Sequence, residues 1–211
     1  MKKRIAIIDN FDKENEKFKT RFDNTLKDIS NIVSWNYFHY SSVGESAIIE
    51  KIMNCDGIIL TGSYNMLSEE STVQKYASVT KILHDYSKPV FGICFGHQLI
   101  ASLYGFVTGP LNHPDDDIED EKTLLLNLFS PYDLIKGDSI LAYETHHQEV
   151  KYVPEYENEF KIFASSEVCK IQLVKHKNRP LYGAQFHPEN PSNPEALKQG
   201  IEMIHNFIAL L

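Results

Sequence analysis

Apolar and polar positions follow one another along the chain in blocks of strand and helix length. Arg4–Asp9 (RIAIID) is a short apolar run closed by an acid, the pattern of a strand buried on both faces. Asp12–Leu26 is charged, with Phe18, Phe22 and Leu26 at four-residue spacing on one helical face. Ile32–Tyr40, rich in β-branched and aromatic residues, predicts a second strand. Glu45–Met53 carries Ala47, Ile48, Ile52 and Met53 in helical spacing, and Gly57–Leu60 predicts a third strand with the turn TGSYN after it. Ser71–Tyr86 predicts a helix with Val73, Tyr76, Ala77, Val79, Leu83 and Tyr86 as core contacts. Pro89–Ile93 predicts a fourth strand and Gln98–Tyr104 a further helix.

The second half reads differently. Thr123–Leu128, Ser139–Tyr143, Phe160–Ser165, Cys169–Lys175 and Leu181–Gln185 predict shorter strands with little helix between them. Asn193–Leu211 closes the chain as a helix with Leu197, Ile201, Ile204 and Ile208 on one face. Strands alternating with helices predict an α/β fold: an open, doubly wound, mostly parallel sheet flanked by helices, with a small antiparallel extension. Residues 1–211 are read as one domain, without repeats or low-complexity segments.

Composition narrows the function classes. With 42% hydrophobic residues the 211-residue chain is globular and not disordered. A formal net charge of -8 gives no support for nucleic-acid or anionic-membrane binding. The acidic run Asp115–Glu121 (DDDIEDE) reads as a solvated loop, since oxygen ligands alone specify little about a metal. Three cysteines, Cys55, Cys94 and Cys169, do not make a disulfide framework. The apolar run after MKKR stops at Asp9, too soon for a secretory signal, and no stretch reaches the length of a membrane span. The expectation is a cytoplasmic protein with reduced thiols. Trp35, Tyr37, Phe38 and Tyr40 read as core and edge of the second strand, and TGSYN lacks the glycine spacing and lysine of a phosphate loop.

The chemistry centres on GICFGHQLI, Gly92–Ile100. Cys94 falls between a predicted strand and a predicted helix, and Gly92 and Gly96 bracket it with the spacing of a nucleophile elbow. A helix N-terminus favours a thiolate and leaves peptide N–H groups free to hold an oxyanion. A buried structural cysteine fits this stretch equally well. A nucleophilic cysteine needs a base, and the base an orienting group. GAQFHPE, Gly183–Glu189, offers both: His187 follows an apolar strand, Glu189 lies two positions on, and Pro188 stiffens the segment between them. The adjacent His146 and His147 lack zinc-site spacing, and no metal is expected. Cys55 and Cys169 read as packed in or beside strands.

GICFGHQ and FHPE together resemble the signature of class I, triad-type glutamine amidotransferases, and IIDNF, IILTGS, THHQEV and SSEVCKIQ fall in the order expected of that family. The resemblance covers essentially the whole chain, and THHQEV and SSEVC look most like GMP synthase-type amidotransferase domains. It implies a flavodoxin-like sheet and a triad of Cys94, His187 and Glu189. Cys94 would attack the γ-carboxamide of glutamine; His187 would serve as general base and then protonate the departing ammonia; Glu189 would orient His187. The resemblance further implies an oxyanion site from the backbone of Phe95 and of Gly62–Ser63, with Gln98, His147 and Gln148 at the substrate and no cofactor.

Three departures stand out. The loop after the third strand reads Gly62-Ser63-Tyr64 where the family usually has Gly-Gly-Pro, placing a non-glycine residue beside the oxyanion. After FHPE, Asn190-Pro191-Ser192-Asn193-Pro194 replaces the His-Thr pair usual in GMP synthases, and Phe95 replaces the commoner leucine. The expected function is a glutaminase that supplies ammonia to an ATP-dependent synthase on a separate polypeptide, unless the chain is one domain of a longer protein. The alternative is a stand-alone hydrolase using the same triad on another γ-glutamyl compound. A non-enzymatic regulatory relative is the third reading, opposed by the intact triad residues.

Overall fold

In a computed structural model, residues 1–13, 15–111 and 122–211 are described; the acidic run Asp115–Glu121 lies outside them. The chain runs through β1 (Lys3–Asp9), α1 (Glu16–Leu26), β2 (Val33–His39), α2 (Ser46–Met53), β3 (Gly57–Leu60), α3 (Glu70–Lys75), α4 (Ala77–Asp85), β4 (Val90–Ile93) and α5 (Phe95–Ser102). It continues with β5 (Thr108–Pro110), β6 (Lys122–Asn127), β7 (Ser139–Glu144), β8 (Gln148–Val150), α6 (Tyr156–Glu159), β9 (Phe160–Ala164), β10 (Leu173–His176), β11 (Leu181–Ala184) and α7 (Pro194–Ala209).

Seven strands form the main sheet in the order β2-β1-β3-β4-β11-β10-β9. β2, β1, β3, β4 and β11 are parallel, whereas β10 and β9 add an antiparallel edge. Two small antiparallel pairs, β5-β8 and β6-β7, stand apart from it. The strand order reverses direction at β1, so the carboxyl ends of β1, β3, β4 and β11 open onto one crevice, where open α/β sheets place their sites.

Alternate side chains of each strand feed opposite layers. Ile5 and Ile7 of β1 join Phe18 and Phe22 of α1 and Phe207 of α7 on one face. Ala6 and Ile8 join Leu60, Val79, Leu83 and Leu99 on the other. Each large apolar side chain buried this way contributes about 1.5–3 kcal/mol.

The helix expected over Ser71–Tyr86 is two helices, broken at Tyr76, which has φ −95° and ψ 8°. Val73, expected in the core, is 51% exposed and Ala77 is exposed as well, because the break re-aims the helical face. The helix expected from Gln98 starts three residues earlier, directly after Cys94. Strand β10 starts at Leu173, not Cys169, because Ser166 and Cys169 close a turn in which Ser166 N–H donates to Cys169 O (2.9 Å). No helix among the described residues is long and apolar enough to cross a membrane.

Candidate active site

Cys94 joins β4 to α5 with φ 49° and ψ −105°, the only positive φ at a non-glycine among the described residues. The neighbours hold it there. Cys94 N–H donates to Ala184 O of β11 (2.8 Å), Gly96 N–H to Thr61 O beyond β3 (3.2 Å) and Gln98 N–H to Cys94 O (3.1 Å). The two glycines permit this packing: a Cβ on Gly92 would lie 2.5 Å from the Gly96 carbonyl, and one on Gly96 would lie 2.5 Å from Leu60 Cβ. Phe95 heads α5, so its N–H has no acceptor inside its own helix.

His187 and Glu189 follow β11, the strand beside β4. His187 N–H donates to Tyr143 O (2.9 Å), and its Nδ1 lies 2.8 Å from Glu189 Oε1. That contact leaves Nε2 as the nitrogen available to the thiol. Burial opposes the charge on His187, but Glu189 and Cys94, both facing the ring, outweigh it and hold its pKa well above the ordinary histidine value. Gly62 closes the other side, since a Cβ there would be 2.8 Å from His187 Cε1 and 3.7 Å from Cys94 Cβ. Glu189 is 1% exposed, so its attraction for the ring is little screened.

A cavity of about 770 Å³ opens over Cys94, with Phe95 and Gln98 in its floor and Tyr64, His147 and Gln148 among its walls. The Gln98 carboxamide is held from inside, donating to Gln148 O (2.8 Å) and to Gln185 Oε1 (3.1 Å). Gln148 O also takes the contact from His146 Nδ1 (3.0 Å), which fills its lone pairs. His147 O accepts from Leu111 N–H (3.3 Å), its only backbone donor among the described residues. His146 is buried with Nε2 3.8 Å from Glu144 Oε2, whereas His147 is exposed at the cavity. Among the described residues no cluster of three or more His, Cys, Asp or Glu is placed to hold a metal.

The family model for glutamine amidotransferase class-I matches residues 7–209. The chain belongs to the class I glutamine amidotransferase family. It is 37% identical over 162 residues to the glutamine-hydrolyzing GMP synthase subunit of Thermoplasma volcanium, covering 76% of this chain and 73% of the relative. It is 32% identical over 207 residues to the protein of the same name from Methanosphaera stadtmanae, covering 96% and 95%. A crystal structure of a glutamine amido transferase from Methylobacillus flagellatus superposes with a TM-score of 0.73 at 15% identity, covering 100% of this chain and 96% of that one, a likeness of fold.

In this class I amidotransferase the departures in the loop and after Glu189 are absorbed locally. Ser63 has no positive φ, so the extra side chain fits without strain, and its hydroxyl donates to Asn10 O (2.6 Å). After Glu189 the chain turns through Asn190, whose Oδ1 accepts from Ser192 N–H (2.9 Å), and Asn193 then caps α7. Tyr64, 88% exposed, packs edge-on against Phe11 (5.3 Å) at the cavity.

Gln185, to which the sequence pattern assigns no role, places its Nε2 3.7 Å from Cys94 Sγ. The available signal was its spacing, two positions before His187 in the segment after β11. Tyr76 is in the core as expected, but its hydroxyl and Asn65 also secure the Gly62–Asn65 loop through side-chain contacts that spacing does not reveal. His97, inside the Cys94 stretch, is no base. Burial, with His146 nearby, depresses its pKa to about 3 and keeps the ring neutral.

Proposed function

We propose that this chain hydrolyses the γ-amide of glutamine through Cys94, His187 and Glu189 and passes ammonia to a synthase on a separate polypeptide. The observation that carries the reading is His187 lodged between Cys94 and Glu189 at the carboxyl ends of adjacent strands, with Glu189 Oε1 2.8 Å from Nδ1. Cys94 passes its thiol proton to His187 as its sulfur attacks the γ-carbonyl carbon, and the oxygen takes up negative charge facing the Phe95 N–H and the Gly62–Ser63 backbone. The C–N bond breaks as His187 delivers its proton to nitrogen, so ammonia leaves and a γ-glutamyl thioester remains. Water then attacks the thioester while His187 takes its proton, releasing glutamate and restoring the thiol. Glu189 steadies the imidazolium in both steps. Gln98 fixes the cavity floor, and the His147 carbonyl and Gln148 N–H meet the amino-acid end of the substrate. The names of the relatives, which are subunits of a GMP synthase, support a separate synthase as acceptor.

The second reading is a stand-alone hydrolase of another γ-glutamyl compound. The Ser63–Tyr64 loop favours it, since Tyr64 shapes the cavity mouth where the family usually places proline.

Glutamate and ammonia release by the purified chain tests the first reading, with glutamine and a γ-glutamyl anilide compared side by side. Equal release of both products from glutamine is expected, and Cys94→Ala should lose more than about 10³-fold in rate. Hydrolysis of the anilide with glutamine left untouched would select the second reading. Wild-type rates in Cys94→Ala would remove the nucleophile assignment.

A further inference from the structure

Tyr76 breaks what would otherwise be one helix, and its side chain is 0% exposed. The break aims the ring and the hydroxyl at two different parts of the site. The ring packs on Phe95, with centroids 4.7 Å apart, and its other contact is a stack on Tyr40 at 4.5 Å. The hydroxyl donates to Asn10 O, the same carbonyl that receives the Ser63 hydroxyl at 2.6 Å.

Asn65 ties these groups together. Its Nδ2 lies 3.0 Å from Tyr76 Oη, 3.1 Å from Ser63 Oγ and 3.0 Å from Asp12 Oδ1. Its backbone N–H also donates to Ser63 Oγ (3.1 Å). Asp12 in turn accepts from Tyr40 Oη (2.9 Å). Asn10 is anchored to the segment from the other side, donating from its N–H to Thr61 Oγ1 (2.9 Å) and from its side chain to Thr61 O (2.8 Å). The Gly62–Asn65 loop is thereby fastened through Ser63, the residue that departs from the family's glycine.

We propose that Tyr76 is a positioning residue that braces both halves of the oxyanion site, its ring setting Phe95 and its hydroxyl, with Ser63 and Asn65, setting the Gly62–Ser63 peptide. This inference rests on the reading of Cys94 as nucleophile and Phe95 with Gly62–Ser63 as oxyanion donors. Donors to an oxyanion act on charge present only in the transition state, so their misalignment lowers kcat and leaves KM nearly unchanged.

Steady-state glutamine hydrolysis by Tyr76→Phe and Ser63→Ala tests the brace. Tyr76→Phe keeps the ring on Phe95 and removes the hydroxyl. It is expected to lower kcat about 10- to 100-fold, short of or at the loss of a whole oxyanion donor, with KM within about twofold. Ser63→Ala should do the same, Ser63→Thr should restore most of the rate, and the Tyr76→Phe/Ser63→Ala pair should lose less than the product of the single losses because both act through one knot. Alkylation of Cys94 by iodoacetamide, which needs no oxyanion site, should proceed at the wild-type rate in all of them. Unchanged kcat in Tyr76→Phe overturns the brace. So does a loss in which KM, iodoacetamide labelling and melting temperature shift together, the mark of a merely structural role. Failure of the underlying reading looks different: wild-type protein releases no glutamate from glutamine or from a γ-glutamyl anilide, and the brace falls with it.

Discussion

The imidazole of His187 is the residue on which the pH response of the site turns. Burial alone would discharge it; Glu189 and Cys94 reverse that and raise its pKa well above the ordinary value of about 6.5. The pair therefore contributes stability that is fully present below about pH 6.5 and is lost as pH rises through the raised native value. Under the proposed mechanism the same raised value would set the alkaline limb of turnover, because ammonia would leave with a proton from the imidazolium. Glu189→Gln removes the attracting charge and lets burial dominate. Its alkaline limb in a kcat/KM–pH profile is expected to move down from the wild-type position, with kcat lower at every pH. An unmoved limb would mean that another group sets it. At this scale the sequence picked out Cys94, His187 and Glu189, which the fold brings together, and was silent where a contact spans the fold. Tyr76 and Asn65 carry no motif, and the role proposed for them comes from the helix break and the loop it meets.

At the scale of elements, strong periodicity was legible and interruptions were not. Phe18, Phe22 and Leu26 predicted α1 and all three are buried; Gly57–Leu60 predicted β3 to the residue. The break at Tyr76 was hidden because Ser71–Tyr86 contains neither glycine nor proline and keeps an apolar rhythm across it. The strands β5 and β8 are three residues each, too short for a period to register. The start of α7 is set locally: Asn193 Oδ1 accepts from the N–H groups of Glu195 and Ala196, both at 3.0 Å, with Pro194 at the first helical position. The helix also presses on the His187–Glu189 turn, since a Cβ on Gly200 would lie 2.0 Å from Pro188 O. Asn193→Ala is expected to cost about 1 kcal/mol. Urea unfolding should show this as a lower midpoint at constant slope, and a change below about 0.3 kcal/mol would argue against the cap.

Across the whole molecule, the sheet separates the end that carries the candidate site from a fastening end. Cys94 and His187 lie beyond the carboxyl ends of β4 and β11. At the amino ends of the same strands, Arg179 donates to Leu83 O (2.6 Å), Tyr86 O (2.9 Å) and Tyr104 Oη (3.2 Å), tying the β10–β11 turn to the end of α4 and to the chain beyond α5. A charged donor satisfying buried carbonyls contributes about 1.5–3 kcal/mol per bond at most, and those bonds share one side chain. Arg179→Ala is expected to lower the melting temperature by roughly 5–10 °C, at roughly 2–4 °C per kcal/mol for a chain of this size. Its kcat and KM at 25 °C should stay within about twofold of wild type. A selective loss of kcat in folded protein would show that the two ends are coupled.

The backbone at Cys94 has a consequence for how the sequence drifts. Its φ of 49° with ψ −105° is a conformation that a side chain disfavours, at a cost of about 1–3 kcal/mol. Glycine would relax that strain and end the proposed chemistry in one substitution. A lineage that dispensed with the proposed chemistry could thus recover backbone stability at position 94 by that one change.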